Sequence, residues 1–196
     1  MNLPATDIQT YTLSLTRDFN APREKVFQAW TDPEIITKWF GPKGISTESA
    51  QIDLEVGGKY QFELKLPDGK ISNHHGEYRE IDPPNKLVFT GILDGQGCSG
   101  SEGVYAETLV TIELQDLGSA TRLTLTHEFF PNEESKDSHN MGWNGSFDCL
   151  EEVLASASIR NYIEVFSKRE LLIMFNLFGY FRQAQALSLS KGAHCR

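Results

Sequence analysis

Apolar residues recur with a period of two over the first two-thirds of the chain, then switch to a spacing of three and four near residue 138. Tyr11–Phe19, YTLSLTRDF, alternates and predicts a strand. Asn20-Ala21-Pro22 then reads as a helix start, a capping side chain followed by a proline whose missing N–H costs nothing there. Val26, Phe27 and Trp30 give that helix an apolar face, and Thr31-Asp32-Pro33-Glu34 repeats the signal for a second short helix over 33–40, stopped by Gly41-Pro42. Residues 59–66 alternate cleanly, with Tyr60, Phe62, Leu64 and Leu66 on one face and Lys59, Gln61, Glu63 and Lys65 on the other. Residues 75–81, 86–92, 107–114 and 121–129 predict four more strands. Turns fall at Pro67-Asp68-Gly69, Asp82-Pro83-Pro84-Asn85 and Asp116-Leu117-Gly118-Ser119, and such short turns imply an antiparallel meander. A third helix is expected over 138–154, where Trp143, Phe147, Leu150 and Leu154 form one buried stripe. This order of elements indicates an α+β fold in which a curved antiparallel sheet wraps a long helix, with two short helices after the first strand.

Composition narrows the picture. The 196 residues are 39% hydrophobic and 23% charged, enough for one sizeable core and unlike a disordered chain. The net charge of −9 argues against a nucleic-acid partner, which calls for a basic face. Three cysteines (Cys98, Cys149 and Cys195) without CxxC spacing fit reduced thiols, and the N-terminus lacks the basic and apolar regions of a signal peptide, so a cytoplasmic protein is expected. The charge is divided unevenly: residues 1–155 carry 12 Lys+Arg against 25 Asp+Glu, whereas 156–196 carry 6 against 2. An acidic body over 1–155 and a basic extension over 156–196 follow.

Several motifs of the body, taken in order, resemble the AHSA-type family (activator of Hsp90 ATPase homologue-like). They are Arg17-x-Phe19-x-Ala21-Pro22, Val26-Phe27-x-Ala29-Trp30-Thr31-Asp32-Pro33 and Trp39-Phe40-Gly41-Pro42 at the opening. Asp53-x-x-x-Gly57-Gly58-x-Tyr60, Gly76-x-Tyr78-x-Glu80-Ile81-x-Pro83-Pro84 and Leu87-Val88-Phe89-Thr90 follow, and Gly142-Trp143 with Leu150-x-x-x-Leu154 close the match. The resemblance implies a START-like helix-grip fold of the SRPBCC (polyketide cyclase-like) superfamily, whose members hold apolar ligands between sheet and helix. It also raises a chaperone contact and a role in stress response. The co-chaperones similar to this domain carry a further N-terminal domain, whereas about ten residues precede the first strand here, so chaperone contact is the weaker expectation.

The alternation assigns candidate ligand-binding residues: Tyr60, Phe62, Tyr78, Val110, Ile112, Leu125 and His127 from the sheet, with Trp143 and Phe147 opposite. The same residues would also serve as an ordinary close-packed core. His127 falls in phase with Leu123 and Leu125, where an imidazole beside Tyr78 could orient a ligand hydroxyl or act as a base; a structural histidine held by one hydrogen bond is the commoner case. His74-His75 is read as a solvated pair at a strand start, and no HxxxH or HExxH spacing suggests a metal. Gly142 and Gly145 either leave room inside a helix, for a ligand or a close contact, or mark a helix that begins only near Ser146.

Gly95-Gln96-Gly97-Cys98-Ser99-Gly100 matches GxGxxG, but another strand is expected after it rather than a helix, so it is read as a glycine-rich loop and not a nucleotide site. No catalytic residue, cofactor or metal is assigned. Ligand binding therefore leads, with a protein-interaction module second and a cyclase- or lyase-like enzyme third. In the extension, the apolar run over 171–181 falls short of the roughly 20 residues needed to span a bilayer. Flanked by Lys168-Arg169 and Arg182, it is read as a helical segment for packing or homodimerisation ahead of membrane binding, with a disordered end over 183–196 as a further reading that the sequence leaves open.

Overall fold

The computed structural model describes residues 10–94 and 107–165. The chain divides into two compact units, Met1–Ser156 and Ala157–Arg196, of which the first holds the sheet. Its elements are β1 (Tyr11–Phe19), α1 (Arg23–Thr31), α2 (Pro33–Ile36), β2 (Ser46–Ile52), β3 (Lys59–Lys65), β4 (Ile71–Asp82), β5 (Lys86–Asp94), β6 (Thr108–Asp116), β7 (Thr121–Phe130) and α3 (Glu133–Val165). The seven strands form one antiparallel sheet in the order β1-β7-β6-β5-β4-β3-β2. From β2 to β7 each strand pairs with the next, and β1 completes the far edge beside β7, which gives a curved, unclosed sheet with a long C-terminal helix.

Local chemistry sets the corners. The expected cap from Asn20 is not made: Pro22 is the N-cap residue of α1 and no side chain caps it, while Thr121 Oγ1 holds the corner by donating to the Ala21 carbonyl at 2.7 Å. Asp32 does cap α2, accepting from the Glu34 and Ile35 amides. That helix ends at Ile36, earlier than the pattern over 33–40 suggests; the chain leaves it in turns, and Gly41 reverses direction with φ +115°. The Trp39 indole is pinned within the bend by a 2.8 Å bond to the Ala29 carbonyl.

Three further features differ from the sequence expectation. β2 is a polar edge strand, STESAQI, in which only Thr47 is buried, so no alternation announces it. β4 starts at Ile71 rather than 75, which puts His74 inside the strand. α3 starts at Glu133 rather than 138, because Asn132 Oδ1 caps the Ser135 amide at 2.8 Å and Glu133 and Glu134 suit the positive end of the helix. Gly142 and Gly145 therefore lie inside the helix, not ahead of it.

At the end of β7 a bulge rearranges the facing residues. Leu13 pairs with His127 and Tyr11 with Phe130, and Phe129 takes a positive φ of 69°. Phe129 therefore turns outward, 48% exposed, while Phe130 is fully buried and reaches the His127 ring at 4.2 Å. The core lies between the sheet and α3 and is strongly aromatic: Trp30 contacts Trp39, Phe89, Trp143 and Phe147. Arg17 of β1 ties the helix down from outside, bonding Asp148 at 2.5 Å with its guanidinium over the Phe147 ring.

Candidate functional site

Between the sheet and the first half of α3 the packing leaves a cavity of about 360 Å³. Its sheet wall is Tyr60 and Leu64 of β3, Ser72 and His74 of β4, Phe89 and Gly91 of β5, Thr108 and Val110 of β6 and His127 of β7. Ser138, His139, Met141, Gly142, Trp143 and Ser146 of α3 form the helix side, and Phe40, Gly41, Pro42 and Ile45 close one end. The wall is overwhelmingly apolar, and among the described residues no Lys, Arg, Asp or Glu lines it.

The hollow and its closed neighbour both trace to side-chain size. A Cβ on Gly145 would stand 2.5 Å from Pro42 Cβ, so the glycine is the condition for the Gly41-Pro42 corner to press on the helix. Ser146 fixes that contact by accepting from the Gly41 amide at 3.1 Å while donating to the Gly142 carbonyl at 2.9 Å. A Cβ on Gly142, three residues earlier, would meet nothing within 4 Å; here the glycine widens the hollow.

Four residues expected to face a ligand come together on this wall: Tyr60, Val110, His127 and Trp143. The other five lie in close-packed core instead. Phe62 stacks between Tyr60 and Phe40, Tyr78 contacts Tyr60 and Phe89, and Phe147 is wedged among Phe19, Trp30 and Trp143. Ile112 and Leu125 are fully buried and do not reach the cavity.

His127 occupies a fixed position. The Trp143 indole N–H donates to its Nδ1 at 3.1 Å, so Nδ1 carries the lone pair and Nε2 the hydrogen. Nε2 in turn donates to Thr108 Oγ1 at 2.9 Å, and Thr108 donates to the Gly91 carbonyl at 2.9 Å. Both ring nitrogens are thereby engaged, leaving no free nitrogen to serve as a base. Burial, with His139 and His74 nearby, holds the ring well below its ordinary pKa, in keeping with a neutral tautomer. Its ring neighbours are Phe130, His139 and Trp143, whereas the expectation placed it beside Tyr78.

Sequence reasoning missed two imidazoles of the wall. His74, expected as a solvated residue at a strand start, is packed edge-on against Phe40, and burial pushes its pKa down to about 4, His139 and His75 adding to the effect. Its signal was the period of two running back from Tyr78 through Gly76 and His74 to Ser72, masked because those residues are small or polar. His139, one turn before Trp143, packs its ring 5.2 Å from that of His127 and donates Nδ1–H to the Ser135 carbonyl at 2.8 Å. Burial lowers its pKa as well, and the Ser135 carbonyl opposes the shift. No group of three His, Cys, Asp or Glu among the described residues converges to hold a metal ion.

The GxGxxG segment, Cys98, Cys195 and the apolar run over 171–181 lie outside the described residues, although the flanking strands β5 and β6 pair antiparallel. No helix among the described residues is long and apolar enough to cross a membrane.

The family model described as activator of Hsp90 ATPase homolog 1-like protein matches residues 20–155. Among solved structures, a protein from Nitrosomonas europaea is 25% identical with a TM-score of 0.64, covering 76% of this chain and 96% of its own. An AHSA1 protein from Silicibacter pomeroyi is 25% identical with a TM-score of 0.64, over 75% and 99%. A protein from Chromobacterium violaceum is 26% identical with a TM-score of 0.62, over 73% and 96%. No curated protein matches the chain.

Proposed function

From the premise that the chain belongs to the activator of Hsp90 ATPase homolog 1-like family, we propose that it binds a small apolar or aromatic molecule in the cavity between the sheet and α3. The observation that carries this reading is the cavity itself. At about 360 Å³ it falls within the range of small-molecule sites, and its wall combines aromatic rings with a few convergent polar groups. Protein interiors are otherwise close-packed, so a hollow of this size beside a tightly packed half of the same core calls for an occupant.

Binding, rather than chemistry, suits the engaged state of His127: an imidazole that accepts from Trp143 and donates to Thr108 braces the wall. Cysteines without CxxC spacing support a cytoplasmic setting for this role.

Native mass spectrometry of the full chain purified without detergent tests the reading. Added mass on the folded protein, lost on denaturation, is the expected result. Gly142→Phe, which projects a ring into space that is open in the structure, should abolish the added mass while leaving the circular dichroism spectrum unchanged. A chain that carries no extra mass, and gives no heat with any apolar probe by calorimetry, would overturn it.

A further inference from the structure

Three imidazoles line the cavity, and they are not equivalent. His127 has both nitrogens engaged within the wall. His139 has one: its Nδ1–H is committed to the Ser135 carbonyl, an acceptor with no hydrogen to give, so the proton position is fixed by the partner. The nitrogen left over is Nε2, which carries a lone pair and has no partner among the described residues. From the sheet side, neither ring nitrogen of His74 has a hydrogen-bond partner among the described residues; a neutral ring there offers one N–H and one lone pair.

The rest of the wall limits what such a site can hold. It contains no Lys or Arg among the described residues to neutralise an anion, and no Asp or Glu to neutralise a cation. A charge carried into it would be desolvated without compensation, an expensive event in apolar surroundings. The Tyr60 hydroxyl is spent on the Thr90 carbonyl at 2.8 Å.

Resting on the ligand-binding reading above, we infer that the cavity selects an uncharged ligand with an apolar, ring-sized body and a single hydrogen-bond donor, an O–H or N–H, delivered to His139 Nε2. Selectivity arises because a body lacking that donor buries the His139 lone pair without a partner, and unmade bonds in apolar surroundings cost more than made ones gain. His139 is thus a specificity-determining residue, and His74 offers a second polar contact to the same hydroxyl or amine.

Three probes with one aromatic body separate the terms: 2-naphthylmethanol, its methyl ether and 2-naphthoate, each titrated calorimetrically into the full chain at pH 7.5. The alcohol should bind about ten-fold more tightly than the ether, which keeps the body and loses the donor. The carboxylate should bind more weakly than both. His139→Phe, which preserves the ring against His127 and Phe130, should make alcohol and ether equal, and His139→Gln, which restores an acceptor, should bring the preference back. Equal affinity of alcohol and ether in the unaltered chain overturns the donor inference while leaving the cavity reading intact. Tightest binding by the carboxylate overturns it too, in favour of an anion site. Heat from none of the three probes overturns the donor inference, and the cavity reading falls with it where the chain also carries no added mass and gives no heat with any other apolar probe.

Discussion

The two halves of the sheet–helix interface are built from the same strands and the same helix, yet one is solid and the other hollow. Further along α3, Phe147 packs on Phe19 and Trp30, and Phe147, Leu150 and Leu154 share one buried cluster with Ala21, Val26 and Leu123. Towards the start of α3 the helix presents Ser138, His139, Gly142 and Trp143, and the sheet answers with Ser72, His74, Gly91 and Thr108. The change takes place within one turn of helix, between Gly145, pressed against Pro42, and Gly142, facing open space. The hollow is what remains where Ser72, Gly91, Thr108, Ser138 and Gly142 interrupt the large apolar side chains of both facing surfaces.

The sharpest test strikes the solid half. Phe147 is 1% exposed and touches Phe19, Trp30 and Trp143, so Phe147→Ala should cost about 3–5 kcal/mol in urea denaturation. Should the loss fall below about 1 kcal/mol, this half would be no better packed than the other. Next in size is Gly145→Ala. Alanine is the better helix former by about 1 kcal/mol, but its Cβ would stand 2.5 Å from Pro42 Cβ, and overpacking of this kind costs about 1–3 kcal/mol. A net fall in thermal midpoint is expected, since the corner held by Ser146 has to shift.

How much of this was legible beforehand depends on the contrast between large and small side chains. β1, β3 and β7 could be read because their inward residues are Leu, Phe and Tyr set against polar neighbours. β2 could not, because a polar edge strand buries one threonine and needs no apolar face. The solid half was visible as the stripe of Phe147, Leu150 and Leu154 that continues from Trp143, but apolar size on that stripe and in the strand alternation drew Phe147 and, from the sheet, Phe62, Tyr78, Ile112 and Leu125 into the expected site. Apolar size marks where a core is full; the hollow is marked by its absence, and Ser72, His74 and Gly142 look in sequence like loop or surface. Phe129 and Phe130 exchange places because the bulge depends on pairing with β1, which no local pattern encodes.

Acidification should separate the halves again. His74, His127 and His139 all hold pKa values below the ordinary 6.5, chiefly through burial, and all three line the hollow half. The unfolded chain then binds protons first as the pH falls, so folding stability should be level above about pH 6.5 and decline between there and about 4, where His74 itself titrates. Each histidine contributes at most about 1.4 kcal/mol per pH unit within that window. Urea denaturation at half-unit intervals reads the slope. His74→Phe should reduce it by the share of that one imidazole, and an unchanged slope would mean that His74 is not among the groups through which acid acts.

The smallest expected effect discriminates best between the halves, because its sign is opposite to that of its neighbour three residues on. Gly142→Ala adds a Cβ that meets nothing within 4 Å, so it carries the helix-propensity gain and no steric cost. The variant should be more stable by about 1 kcal/mol, seen as a small rise in thermal midpoint. Gly145→Ala makes the same chemical change in the same helix and should lose stability, so their difference isolates packing from propensity. If both variants gained, the Pro42 contact would be soft and the solid half able to yield. If both lost, the space beside Gly142 would be closed in solution, and the cavity would lose its structural basis.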